Sequence, residues 1–124
     1  DPGNSQWQRD LSVSHERIGD VRLGKGDVAG ALAPCEASLA IRSQLAERDP
    51  GNGQWQHDLS VSYAKIGEAL SRQGNNERAV AAYEAGRAIS QGLSERDPSN
   101  APWRADATWF QERLRALQLS GKVP

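Results

Sequence analysis

The chain of 124 residues has no methionine, one cysteine, one phenylalanine and two tyrosines. A single cysteine, Cys35, excludes an intramolecular disulfide. Aromatics at 6% and hydrophobic residues at 37% are low for a compact sphere and suit a thin assembly whose helices keep one side wet. Charge of one sign is missing too: 15 basic against 16 acidic residues leave −1. That excludes the basic surface that would hold nucleic acid or an anionic membrane. No apolar run approaches the ~20 residues needed to cross a bilayer. No signal-peptide or lipidation pattern is present, and the cytoplasm is the expected compartment. Only two histidines are available beside scattered carboxylates, so neither metal nor cofactor is expected.

What the chain does have is a period. Asp1-Pro2-Gly3-Asn4 returns as Asp49-Pro50-Gly51-Asn52 and, with one change, as Asp97-Pro98-Ser99-Asn100, at a spacing of 48 residues. Trp7, Trp55 and Trp103 follow at the same offset. Without gaps, residues 1–48 and 49–96 agree at 24 of 48 positions. A fixed period of this size marks stacked repeats. A chain that opens on the first residue of the unit reads as a segment of a longer array.

Each unit reads as two helices. Asn4 and Asn52 are placed to cap helices running to about Leu23 and Gln73. In the second, Trp55, Leu59, Tyr63, Ile66 and Leu70 form one apolar stripe; Trp7, Leu11, His15, Ile18 and Arg22 form a weaker one in the first. Glycine turns follow at Gly24-Lys25-Gly26 and Gly74. Asp27 and Asn76 are then expected to cap helices that run to about Arg48 and Arg96, each stopped by Asp-Pro. Pro34, inside the first of these, predicts a local kink. Asn100 opens a fifth helix ending near Ser120-Gly121. Identities between the copies include the apolar or small residues Leu11/Leu59, Ile18/Ile66, Gly19/Gly67, Ala31/Ala79, Ile41/Ile89 and Leu45/Leu93.

These residues resemble the tetratricopeptide (TPR) repeat. The second copy reads Tyr63-x-x-Ile66-Gly67-x-x-Leu70, then Gly74, then Ala79-x-x-x-Tyr83-x-x-Gly86. The first reads His15-x-x-Ile18-Gly19-x-x-Arg22, Gly26, Ala31-x-x-x-Cys35-x-x-Ser38, with Arg22 and Cys35 the poorer matches. The common repeat has about 34 residues, and the additional residues amount to about four helical turns. The unit therefore looks like a long bacterial variant with helices of ~21 residues, ~30 Å each. The resemblance implies an all-α, right-handed superhelical solenoid of antiparallel helix pairs. It would hold five helices in two and a half repeats: residues 1–48, 49–96, and a half repeat or C-terminal capping helix over 97–124. In that last helix Leu-Ser-Val-Ser becomes Ala107-Thr108-Trp109-Phe110, Arg115 replaces the packing glycine, and Arg113, Arg115 and Gln118 suit a polar outer face.

The function implied is protein–protein interaction: a scaffold that binds a peptide or helical segment on the concave face of the first helix of each pair. Carried onto this chain, that face holds Arg9, Val13, Glu16 and Asp20. His57, Val61, Ala64, Glu68 and Arg72 follow, then Trp109, Glu112 and Ala116. The groove so read is mildly acidic with apolar spots and suits a basic or amphipathic protein segment. The family's clamp for acidic C-terminal tails uses Lys and Asn where this chain has Glu16, Asp20, Ala64 and Glu68, so such a clamp is not expected.

Two alternatives stand beside the scaffold: a sensor or regulatory arm of a larger multidomain enzyme or signalling ATPase, and a spacer or self-assembly module. In the latter the open face bearing Trp7 and Leu11 stacks end to end on a neighbour. Catalysis is not expected. There is no phosphate-cradling loop, no recurring nucleophile and base, and His15 and His57 occupy different repeat positions. The periodic tryptophans read as packing, Cys35 as a buried filler, and Trp109, which replaces Val13 and Val61, as a contact residue.

Overall fold

The computed structural model describes residues 4–122. Asp1, Pro2 and Gly3 of the first recurring tetrapeptide, and residues 123–124 of the half repeat, lie outside them. The described residues form five α-helices and no strand: α1 (Ser5–Gly24), α2 (Val28–Arg48), α3 (Gly53–Arg72), α4 (Asn76–Arg96) and α5 (Ala101–Lys122).

Local chemistry sets the boundaries. Asn52 and Asn100 each accept the backbone N–H three residues on, from Trp55 and Trp103, at 3.1 Å. Asp27 does the same for Gly30 at 2.9 Å and Asn75 for Arg78 at 3.2 Å. The cap of α4 is thus Asn75, which shares its repeat position with Asp27, and not Asn76, which is the first helical residue. Asn4 makes no side-chain cap bond; its backbone (φ −88°, ψ 0°) is turn-like, whereas Asn52 is extended at φ −77°, ψ 101°. Both α1 and α3 close through a glycine with positive φ, Gly26 at 83° and Gly74 at 81°. The next residue then bonds back across the turn, Asp27 to the Arg22 carbonyl at 2.8 Å and Asn75 to that of Leu70 at 2.9 Å.

Each helix packs on the next in sequence. Pairs such as Ser12–Arg42 and Arg22–Gly30 make α1 and α2 antiparallel, and Ser38–Ser62 and Gln56–Ala46 do so for α2 and α3. Alternate helices are joined in parallel: Arg9 meets Asp58, and Asp20 meets Lys65. The core lies between the layers, with Ile66, Leu70, Ala79, Tyr83, Phe110 and Leu114 in one cluster and Leu23, Ala31 and Ala69 in another.

Because the units repeat, differences between them show what compensates what. A Cβ on Gly67 would stand 2.5 Å from the Tyr83 ring, and one on Gly19 2.6 Å from Cys35 Sγ, so the glycine is the seat for the larger residue opposite. Ser38 and Ser62 share a buried hydrogen bond at 3.4 Å; one repeat on, Gly86 and Phe110 meet there, the ring filling the space over the glycine. Arg22 and Pro34 also form a pair. Proline deprives the Gly30 carbonyl of its helical donor, and the Arg22 guanidinium donates to that oxygen at 2.8 Å. In the second copy the two positions are Leu70 and Ala82, and no substitute donor is needed. The helix continues through Pro34, from Val28 to Arg48.

The expected packing stripe of α1 is corrected. Trp7 is 64% exposed, and Leu11, Ile18 and Val21 are exposed too. Their repeat counterparts on α3 are covered: Leu59, Ile66 and Ala69 are buried and Trp55 is half-buried, because α2 lies against them. No helix among the described residues lies on that face of α1. Trp103 is half-buried against Gly53.

Candidate functional site

Helices α1, α3 and α5 share a face on which charged side chains recur at repeat positions. Arg9 grips Asp58 with two donors, Nε at 2.7 Å and Nη2 at 3.4 Å. One repeat on, His57 Nε2 stands 3.0 Å from Asp106 Oδ2. Lys65 reaches back to Asp20 at 3.0 Å. Arg72 pairs with Glu68 at 2.8 Å and donates to the Leu23 carbonyl at 3.2 Å. The Asp58 hydrogen bond raises the pKa of Arg9, against partial burial. Burial opposes the charge on Lys65, but the bond to Asp20 and the fields of Glu16 and Glu68 outweigh it and raise its pKa. The contacts Arg9–Asp58, Lys65–Asp20 and His57–Asp106, with the Arg72 bond to Leu23, fasten neighbouring repeats to each other, whereas Arg72–Glu68 lies within α3.

Six of the residues assigned to partner recognition are therefore engaged within the chain: Arg9, Glu16, Asp20, His57, Glu68 and Arg72. Pairing cancels most of the acidity expected of this face. Val13 and Val61 are half-exposed and Glu112 fully so. Trp109 is only half-buried: its ring meets Phe110 at 5.1 Å and Tyr83 at 5.8 Å edge to face, and the Arg113 guanidinium lies 4.9 Å from its centroid. It is a structural ring with one surface toward solvent.

Beneath this face sits Arg42, only 3% exposed. Its guanidinium donates to Ser12 Oγ at 3.1 Å, Ser62 Oγ at 3.0 Å and the Asp58 carbonyl at 3.2 Å, and pairs with Glu16 at 2.8 Å. A buried cation persists only when paired and fully hydrogen-bonded, and these four acceptors meet that condition. Sequence reasoning passed over Arg42. The available signal was a charged residue where the second copy has Ser90, next to the matched Ile41/Ile89 pair.

Between α3 and α5 the same face opens into a cleft of about 210 Å³ lined by Ser60, Val61, Ala64, Asp106, Trp109 and Phe110. Its walls are mainly apolar. Ser60, Asp106 and Phe110 were not assigned to the site from sequence, because the cleft forms from residues on two helices about one period apart.

Cys35 is buried, and desolvation, reinforced by the charges of Asp20 and Glu16, pushes its thiol up to about 11. Among the described residues no group of three or more His, Cys, Asp or Glu could hold a metal, and no helix is long and apolar enough to cross a membrane. Comparison with family models, with curated proteins and with solved structures gave no match to this chain.

Proposed function

We propose that the chain is a solenoid of the tetratricopeptide type and that it binds a segment of a protein partner along the face shared by α1, α3 and α5. The observation that carries this reading is the open apolar cleft on a face where Arg9, Asp20, Glu68 and Arg72 are paired internally. An open apolar recess with a few convergent polar groups is a usual site of side-chain recognition. Val13, Val61 and the free surface of Trp109 supply contact area, and Glu112 supplies charge at the rim. Selecting displayed dodecapeptides on the full chain tests it. Binders are expected to lose at least tenfold in affinity on Val61→Glu, with the helical signal unchanged. Selected peptides that bind this variant as well as the parent chain place recognition elsewhere.

Self-association is a second reading, favoured by one observation. Trp7, Leu11, Ile18 and Val21 are exposed on α1 at positions whose counterparts α2 covers on α3. Apolar patches of this kind mark interfaces. The mass by light scattering is then expected to rise with concentration and to fall to that of one chain in Ile18→Gln/Val21→Gln. A constant monomer mass for the parent chain removes this reading.

A further inference from the structure

We infer that the cleft between α3 and α5 is an arginine socket, which receives an arginine side chain of the bound segment; this rests on the proposed binding face. The argument comes from the repeat. Arg42 has four hydrogen-bonding partners, on Ser12, Glu16, Asp58 and Ser62. Moved by one period, these become Ser60, Ala64, Asp106 and Phe110, and all four line the cleft. The position of Arg42 itself becomes Ser90, too short to reach across. The cleft is therefore the place where the first repeat keeps its own arginine, left open in the second.

The socket retains chemistry for a guanidinium. Ser60 Oγ donates to the His57 carbonyl at 2.7 Å, as Ser12 Oγ donates to that of Arg9 at 2.7 Å, so it offers its lone pairs as Ser12 does to Arg42. By repeat position the Asp106 carbonyl corresponds to that of Asp58, which accepts from Arg42. Ser90, at the repeat position of Arg42, does not itself line the cleft; its Oγ is buried, at 1% exposure, with no hydrogen-bond partner.

The negative charge also shifts in a useful way. Glu16 becomes Ala64, but Asp106 is held by His57 through Oδ2 alone, whereas Arg9 engages both oxygens of Asp58. The carboxylate lining this cleft thus keeps an oxygen, Oδ1, for a cation. The other substitutions, Ser62 to Phe110 and Val61 to Trp109, line it with apolar and aromatic surface. That suits the aliphatic stem and flat head of arginine better than the compact ammonium of lysine.

The experiment titrates the full chain with N-acetyl-arginine amide and its lysine and leucine counterparts. The readout is the Trp109 indole and the Val61 and Ala64 amide signals by NMR. The arginine probe is expected to shift these signals saturably and to bind at least fivefold tighter than the other two. Ser90→Arg, which supplies an internal occupant, is expected to abolish the shifts; Ala64→Leu, which narrows the cleft from α3, is expected to do the same if Ser90→Arg does not fold. Equal or tighter binding of the leucine or lysine probe overturns the inference. So does the absence of any shift, or a shift that survives in a folded variant. Dodecapeptides that need Val61 but show no arginine preference would sink the socket and leave the binding face standing. An arginine-selective cleft on a chain that selects no peptides would do the reverse.

Discussion

Replacing Arg42 by alanine is expected to cost about 3 kcal/mol of folding stability, at the lower end of what breaking a buried ion pair costs. The guanidinium is 3% exposed and ties α2 to α1 through Ser12 and Glu16, and to α3 through Ser62 and the Asp58 carbonyl. Removing it leaves two hydroxyls and a carbonyl without their donor, and a space where the side chain lay. Glu16 is 20% exposed and can regain water, which keeps the loss at the low end. Urea denaturation followed by circular dichroism measures it; a loss below about 1 kcal/mol would show that the network contributes little. The double substitution Arg42→Ser/Glu16→Ala copies the second repeat and is expected to cost less than the sum of its parts, because no carboxylate is left without its partner.

Phe110→Ala is expected to be as damaging, at about 3–5 kcal/mol. The ring is buried, lies over Gly86, and meets Tyr83 at 6.3 Å and Trp109 at 5.1 Å edge to face. It is the main wedge holding α5 on α4. Since each unit of a linear array contacts only its neighbours, the damage should be local. Hydrogen exchange is expected to speed up through α5 and the facing part of α4, while α1 and α2 keep their protection. Equal loss of protection along the whole chain would mean that the helices fold as one unit. Gly86→Ser/Phe110→Ser restores the arrangement of Ser38 and Ser62 and is expected to recover part of the loss.

Both expectations come from comparing one repeat with the next, and the same comparison shows what was legible in advance. The period, the five helices, the capping by Asn52, Asn100 and Asp27, and the seats at Gly19 and Gly67 follow from residue type and spacing. They depend on backbone geometry and on contacts three or four residues apart. The site was less legible. Arg9, Asp20 and His57 were assigned to a binding face, yet each has a charged partner on another helix. Whether a charge is free to meet a ligand depends on that partner.

The sequence by itself determined the repeat, the helices and the positions able to pack, because those are properties of local chemistry under a fixed period. Only the tertiary structure decided which of those positions are buried. Trp7 and Trp55, or Leu11 and Leu59, are the same residues in the same local sequence, and they differ in exposure because α2 lies on that face of α3 while no described helix lies on the equivalent face of α1. It also decided that Arg42 turns inward and that the residues one period on from its partners line an open cleft. The physical reason is that desolvation and charge pairing belong to surfaces brought together by different helices, and a one-dimensional pattern does not record which surfaces meet.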